Sequence, residues 1–335
     1  MPRRALVTGA TGLVGSHIVE LLVREGWSVR GLARSDASRD ALRAIGADPV
    51  SGNVLDHASL IAASHGVDVI FHTAAAITLR GGWDGYRKLN VDGTAAMIEA
   101  AQRSGARLLH LSSVAVYGST GRYNAAGNKT SEETPVGNLP ERSFYARSKR
   151  ESEAMVLDAH RAGRIWATAV RPSVIYGPRD RQFIPRMARA LNSGVMPLIN
   201  GGRSTLAVVH AANVADGAVR AAAADRAGGR AYNLANDSDV TVRDFCRFGA
   251  EGLGKRLRFV PVPLWVARLG LRGFKVFDRV ALGGKFAVAS EGSLTFLSRD
   301  NPFTSERAQT ELGWSPTVSP DVGVPAAFRW WATHR

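Results

Sequence analysis

Tyr145 and Lys149 stand four residues apart in Tyr145-Ala146-Arg147-Ser148-Lys149, and Ser113 lies upstream of them. On a helix, residues at i and i+4 share a face, with Cβ atoms about 5–6 Å apart. The spacing therefore sets an ammonium beside a phenol. A free phenol releases its proton near pH ~10, and a neighbouring cation lowers that value. The pair predicts a general acid or base working near neutral pH. Ser113 closes the apolar run Arg107-Leu108-Leu109-His110-Leu111-Ser112, which reads as a strand. Open parallel sheets bind ligands at the C-terminal ends of their strands, so the Ser113 hydroxyl is placed to hold a substrate oxygen. By itself the Tyr145/Lys149 pair could be a surface helix pair; the serine upstream argues for chemistry.

These groups need a frame. Ala5-Leu6-Val7 reads as a short buried strand, Gly9 to Gly15 as a turn, and Ser16 to Arg24 as an amphipathic helix ended by Gly26. A glycine turn between strand and helix exposes backbone N–H groups at a helix N-terminus carrying about +0.5 charge, which suits a pyrophosphate. Gly9, Gly12 and Gly15 allow close approach of backbone, phosphate and helix. Their spacing is G-x-x-G-x-x-G rather than G-x-G-x-x-G. Further strands are predicted at 28–33, 49–53, 67–73, 107–112 and 166–171, with helical segments between them. This alternation predicts an α/β fold, a doubly wound parallel (Rossmann) sheet covered on both faces. After Pro178 helices and irregular stretches dominate, and Ala231-Tyr232-Asn233-Leu234 reads as a strand returning to the sheet. The expected division is a dinucleotide-binding domain over 1–177, rejoined by 205–245. A smaller, mostly helical substrate-binding domain would take 178–204 and 246–335.

The end of the second strand selects the dinucleotide. An acidic residue there would bind the ribose hydroxyls of NAD, but this chain has Ala33-Arg34-Ser35. A guanidinium pairs bidentately with a 2′-phosphate, so NADP(H) is favoured over NAD(H), with Asp36 as the competing ribose ligand.

The bulk composition narrows the classes. At 45% hydrophobic the chain can bury a large core. No apolar run approaches the roughly 18 residues of a membrane span, and the N-terminal sequence Arg3-Arg4-Ala5-Leu6-Val7 carries no signal-peptide pattern. Cys246 is the one cysteine, which leaves no intrachain disulfide. A cytoplasmic protein is expected, with no metal. The net charge of +14 comes mostly from scattered arginines without interleaved aromatic residues. This argues against a nucleic-acid partner while favouring anionic ligands or surfaces.

Several stretches together carry a resemblance. They are Thr8 to Gly15, His72-Thr73-Ala74-Ala75, Asn90-Val91-Asp92-Gly93-Thr94, Ser112-Ser113-Val114-Ala115-Val116-Tyr117-Gly118, Tyr145 with Lys149, Arg171-Pro172-Ser173-Val174-Ile175-Tyr176-Gly177-Pro178, and Leu312-Gly313-Trp314-Ser315-Pro316. Over nearly its whole length the chain resembles the extended short-chain dehydrogenase/reductases, and its Arg171–Asp180 stretch is similar to the 3β-hydroxysteroid dehydrogenase and dihydroflavonol reductase branch. The resemblance implies catalysis by Ser113, Tyr145 and Lys149, with Lys149 also on the nicotinamide ribose and Asn90 supporting it through water. It further implies dinucleotide contacts from Gly9, Thr11, Gly12, Leu13, Val14, Gly15, Asn53, Val54, Thr73, Ala74, Ala75, Pro172 and Val174. Asn53 replaces the family's usual aspartate near the adenine. A homodimer through helices near Asn90 and Tyr145 is also implied.

The substrate is less legible. Val114-Ala115-Val116 after Ser113 offers no acid or base for dehydration, and Ser173-Val174-Ile175 lacks the asparagine of sugar-nucleotide epimerases. The segment Val262 to Val288 mixes Trp265, Leu269, Leu271, Phe274, Phe277, Leu282 and Phe286 with Arg268, Arg272, Lys275, Arg279 and Lys285. Such a segment can wall an apolar pocket, rest on an anionic membrane surface, or pack as an ordinary helical pair. The long interval from Ser113 to Tyr145, including Gly121 to Asn128, is expected to line or cover the site. The expected substrate is a secondary alcohol or ketone on an apolar skeleton: steroid-like, flavonoid-like or a β-keto acid. The alternatives are a nucleotide-sugar 4-epimerase and a dinucleotide-binding sensor or scaffold without turnover.

Overall fold

A computed structural model describes residues 2–79, 82–119, 129–235, 239–270 and 291–334. The strands are β1 (Arg4–Thr8), β2 (Ser28–Ala33), β3 (Asp48–Ser51), β4 (Val69–His72), β5 (Arg107–Leu111), β6 (Ala167–Pro172), β7 (Val174–Tyr176), β8 (Val195–Ile199), β9 (Val208–His210), β10 (Ala231–Leu234) and β11 (Arg258–Val262). The helices used below are α1 (Leu13–Arg24), α2 (Asp36–Ala44), α3 (His57–Ser64), α4 (Trp83–Tyr86), α5 (Gly93–Ser104), α6 (Phe144–Arg161), α7 (Phe183–Leu191), α8 (Ala211–Ala223) and α9 (Val242–Gly252). The chain divides into two compact units. One comprises Met1–Ile175, Val209–Ala235 and Pro302–Thr317; the other comprises Tyr176–Val208, Asn236–Asn301 and Val318–Arg335.

The first unit is built on a seven-stranded sheet of order β10-β6-β5-β4-β1-β2-β3, with every neighbouring pair parallel. This is the expected Rossmann-type α/β fold, and β10 returns to the sheet beside β6. Parallel strands covered on both faces must be apolar along their whole length. Val7, Phe71 and Leu109 join Ile18, Leu22 and Ala218 in one core, while Leu6, Ile70 and Leu108 join Leu60, Met97 and Val156 in the other. Each such buried side chain contributes roughly 1.5–3 kcal/mol. The winding direction reverses between β1 and β4, which opens a crevice at their C-terminal ends. Thr8 is paired with His72 and His72 with His110. The segments leaving β1, β4 and β5 therefore start side by side.

The domain expectation is corrected at its C-terminal end. Residues 302–317, assigned from sequence to the substrate-binding part, belong to the first unit. The cause is local: Trp314 is buried, its indole Nε1 donates to Asn213 O at 3.0 Å, and Asn213 Oδ1 accepts from Thr317 N at 2.9 Å.

The second unit packs α7, α9 and the C-terminal helix Pro320–Thr333 around aromatic rings. Phe245 lies 5.5 Å from Tyr176, 5.6 Å from Phe183 and 6.2 Å from Phe328, between ring centroids. It also holds a parallel pair of strands, β8 and β11, where the sequence suggested only helices and irregular chain. Of the apolar-basic segment Val262 to Val288, residues 264–270 are helical and expose Trp265 and Leu269; residues 271–288 lie outside the described residues. So does Gly121 to Asn128.

Candidate active site

Tyr145 sits in the first turn of α6, with its hydroxyl near that of Ser113. Ser113 follows β5 and caps the short helical turn Val114–Tyr117, its Oγ accepting from Ala115 N at 3.2 Å. Two residues from distant parts of the chain thus meet at the end of the sheet. Lys149, one turn further along α6, is buried and donates from Nζ to Leu111 O at 2.6 Å.

The electrostatics depart from the sequence-based expectation. Burial raises the Tyr145 phenol above its ordinary value, and the Ser113 hydroxyl opposes this only in part. Lys149 is not among the groups that move it. Desolvation sets the direction of the shift, and the ammonium donates to a backbone carbonyl instead. Burial also lowers Lys149 to about 8, with Glu153 pulling the other way. In this state Tyr145 is a protonated donor, suited to act as an acid.

Asn90 lies in a π-helical segment, Arg87–Asp92, a distortion often found at functional sites. Its Oδ1 accepts from Ala76 N at 2.7 Å, and its Nδ2 donates to Ala76 O at 3.0 Å and Ser148 Oγ at 2.9 Å. The amide thereby ties the chain after β4 to α6, the helix bearing Tyr145.

Beneath Lys149 lies a polar layer that the sequence reading did not assign. Thr94 Oγ1 donates to Asn90 O at 2.7 Å, so His72 Nε2, 3.2 Å away, must be its donor. His72 Nδ1 then accepts from Thr8 Oγ1 at 2.8 Å. By the same logic His110 Nε2 donates to Ser152 Oγ at 3.2 Å, because that hydroxyl donates to Lys149 O. Both imidazoles are buried and neutral. Burial first, and the Lys149 charge second, bring His72 down to about 3 and His110 well below its ordinary value. Across β6, Arg171 grips Glu153 with its Nε at 2.9 Å and Nη2 at 2.6 Å, and its Nη1 donates to Tyr117 Oη at 2.8 Å. Tyr117 donates in turn to Asn233 Oδ1 at 2.8 Å. The available signal was polar residues inside strands that are otherwise apolar.

The glycine turn forms a cradle for a dinucleotide phosphate. Gly9 has φ +66°, and a Cβ added there would lie 2.9 Å from Ala74 N. A Cβ on Gly15 would lie 2.2 Å from Gly9 O. Gly12 is the N-cap of α1 and supplies no side-chain cap, which leaves the first N–H groups of the helix for an anion. Thr11 and Leu13 stand half-buried at this turn, while Val14 is buried in the core. Thr73, Ala74 and Ala75 leave β4 beside it, half-buried, with Thr73 Oγ1 donating to Thr8 O at 2.7 Å. Arg34 follows β2, is exposed, and has no partner among the described residues. Its competitor Asp36 is held by Arg39 at 2.5 Å. Asn53 spends its Oδ1 on Leu55 N at 3.1 Å, beside half-buried Val54. Pro172 and Val174 close the end of β6. These residues fit a nicotinamide dinucleotide, with the pyrophosphate on the turn.

Comparison with known proteins agrees with this geometry. Residues 5–235 match the model of the NAD dependent epimerase/dehydratase family. The chain is 29% identical over 326 residues to a 4-hydroxy-2-methyl-3-oxo-4-farnesyl-3,4-dihydroquinoline-1-oxide ketoreductase of Stigmatella aurantiaca, covering 96% of this chain and 95% of that protein. It is 31% identical over 336 residues to a 2-alkyl-3-oxoalkanoate reductase of Shewanella oneidensis (96% and 84% covered). It is 29% identical over 328 residues to a 3 beta-hydroxysteroid dehydrogenase/Delta 5-->4-isomerase of Mycobacterium tuberculosis (93% and 86% covered). With the fold, the cradle and the family match together, the chain belongs to the NAD dependent epimerase/dehydratase family and is an NAD(P)-dependent dehydrogenase/reductase of the extended short-chain type.

Proposed function

We propose that this enzyme interconverts a ketone and a secondary alcohol on an apolar skeleton, with Ser113, Tyr145 and Lys149 as its working residues and NADP(H) preferred. The observation that carries the reading is the meeting of Ser113 and Tyr145 at the end of β5, close enough for the serine hydroxyl to act on the phenol. A carbonyl oxygen placed between these hydroxyls receives a hydrogen bond from each. Tyr145, held protonated by burial, gives up its proton as negative charge develops on that oxygen. The nicotinamide, when bound, supplies or accepts the hydride at the carbonyl carbon. Lys149 turns from Leu111 O toward the ribose and the phenol, and Asn90 keeps α6 in register with the chain after β4. The unpaired Arg34 supports the cofactor preference. The names of two relatives, a farnesyl-bearing ketone in one and a 2-alkyl-3-oxoalkanoate in the other, support an apolar ketone as substrate. In this reading the second unit takes the substrate-binding role expected for the C-terminal part.

The test is oxidation of NADPH and NADH by purified protein, followed by absorbance, over 3-ketosteroids, long-chain 3-oxo acids, flavanonols and nucleotide ketosugars. Turnover of an apolar ketone, faster with NADPH, is expected. Oxidation of neither cofactor with any apolar ketone would overturn the reading.

A further inference from the structure

A cavity of about 440 Å³ adjoins Tyr145 within the first unit, lined by Leu79, Tyr86, Phe144, Ser143 and Arg142 among others. Its walls are fixed. Tyr86 Oη donates to Ile77 O at 3.0 Å and accepts from Leu79 N at 3.0 Å, so its hydroxyl is engaged. The Tyr86 and Phe144 rings pack at 6.3 Å between centroids. Among the described residues the lining includes no carboxylate.

Among the described residues four arginines surround this end of α6, and three are occupied. Arg147 lies over the Trp83 ring at 3.8 Å and bonds Glu151 at 2.8 Å. Arg150 donates to Val116 O and Gly137 O. Arg171 is buried against Glu153. Arg142 alone is exposed and has no hydrogen-bond or ion-pair partner among the described residues. Its neighbour Glu141, also exposed, does not pair with it. An unpaired guanidinium on the rim of a cavity that also contains the general acid is available to receive an anion. A planar, always-charged fork matches a carboxylate bidentately.

We propose that Arg142 binds a carboxylate of the substrate, making this cavity the acid-recognising subsite of a ketone that carries a carboxylate a few bonds from its carbonyl. This rests on the reductase reading above and narrows its substrate class. Tyr145 and Arg142 face one cavity, so the two polar groups of such a substrate are bound together and its alkyl part lies away from them.

The test uses the NADPH-loaded enzyme with 3-oxododecanoate and its methyl ester. The wild type should favour the acid. In Arg142→Gln the acid-over-ester ratio of kcat/KM should fall about 30-fold, as expected for loss of a charged hydrogen-bonding partner, mostly through KM for the acid. Arg142→Lys should retain part of the preference. Equilibrium dialysis of 3-hydroxydodecanoate against cofactor-free protein should show the same order of affinities. A ratio unchanged between wild type and Arg142→Gln would overturn the subsite while leaving the reductase reading standing. Wild-type turnover of neither acid nor ester, with turnover of a nucleotide ketosugar, would overturn both.

Discussion

The turn after β1 and the layer beneath Lys149 are both parts of one site, yet they are made of different material. The turn is made of backbone: glycines that admit φ +66° at Gly9 and the contact of Gly15 with Gly9. The layer is made of side chains from β1, β4, β5, α5 and α6: Thr8, His72, His110, Thr94 and Ser152, all buried. The first holds its shape because no other residue type fits. The second holds its shape because its buried polar atoms find partners, with His110 Nδ1 the exception. One is specified by sterics and the other by desolvation, and they fail in different ways.

The largest expected effect lies where the two meet. Tyr145→Phe removes the proton donor but keeps the ring, so kcat should fall about 10³-fold, within the usual range for a lost general acid. NADPH affinity, measured by fluorescence titration, should change little; an active variant would sink the assignment. Breaking the backbone region comes next. Gly15→Ala forces a Cβ to within 2.2 Å of Gly9 O. It should cost about 3 kcal/mol of stability, read as a lower urea midpoint, together with loss of dinucleotide binding.

The side-chain region should fail with acid instead. His72 is depressed to about 3 from 6.5. Its contribution is therefore fully present above pH ~6.5 and is lost as pH falls toward 3, because the unfolded chain binds the proton first. The unfolding free energy from urea titration should decline by on the order of 2 kcal/mol between pH 6.5 and 4.5 on account of His72. His110, also depressed by burial, acts in the same direction. His72→Gln should flatten that slope, and an equal slope in the variant would refute the buried neutral imidazole. The smallest effect is at Arg34. Arg34→Ala should weaken NADPH about tenfold and leave NADH much less affected; equal losses would remove the 2′-phosphate contact.

The same contrast explains what the sequence made legible. The glycine turn, Ser113, Tyr145, Lys149 and the parallel sheet were all readable, since steric exceptions, helical spacing and apolar strands leave marks in residue type. The direction of the Tyr145 shift was not. The i,i+4 rule finds the lysine but says nothing of how dry the phenol is, or that Leu111 O competes for the ammonium. Asn90 was found as a motif residue, but its grip on Ala76 depends on a π-helical segment that no periodicity announces. The histidine layer is legible only in pairs, because His72 and His110 become partners through sheet register. The C-terminal boundary was missed because Trp314 packs on Asn213, about a hundred positions earlier in the chain.

That last contact bears on how the protein can be made and cut. Asn233 Nδ2 donates to Thr304 O at 3.1 Å, Ala235 N donates to Ser305 Oγ at 3.0 Å, and Trp314 is sealed beside α8. The sheet-bearing unit therefore lacks a piece until the ribosome has passed residue 317, long after β10 has emerged. The family-matching stretch 5–235 is for this reason not a detachable cofactor-binding module. Released alone, it would lose Thr304 O from Asn233 Nδ2 and Ser305 Oγ from Ala235 N. The intervening stretch is spliced into the first unit as an insertion between two of its own pieces, so completion of the fold waits on the chain's return.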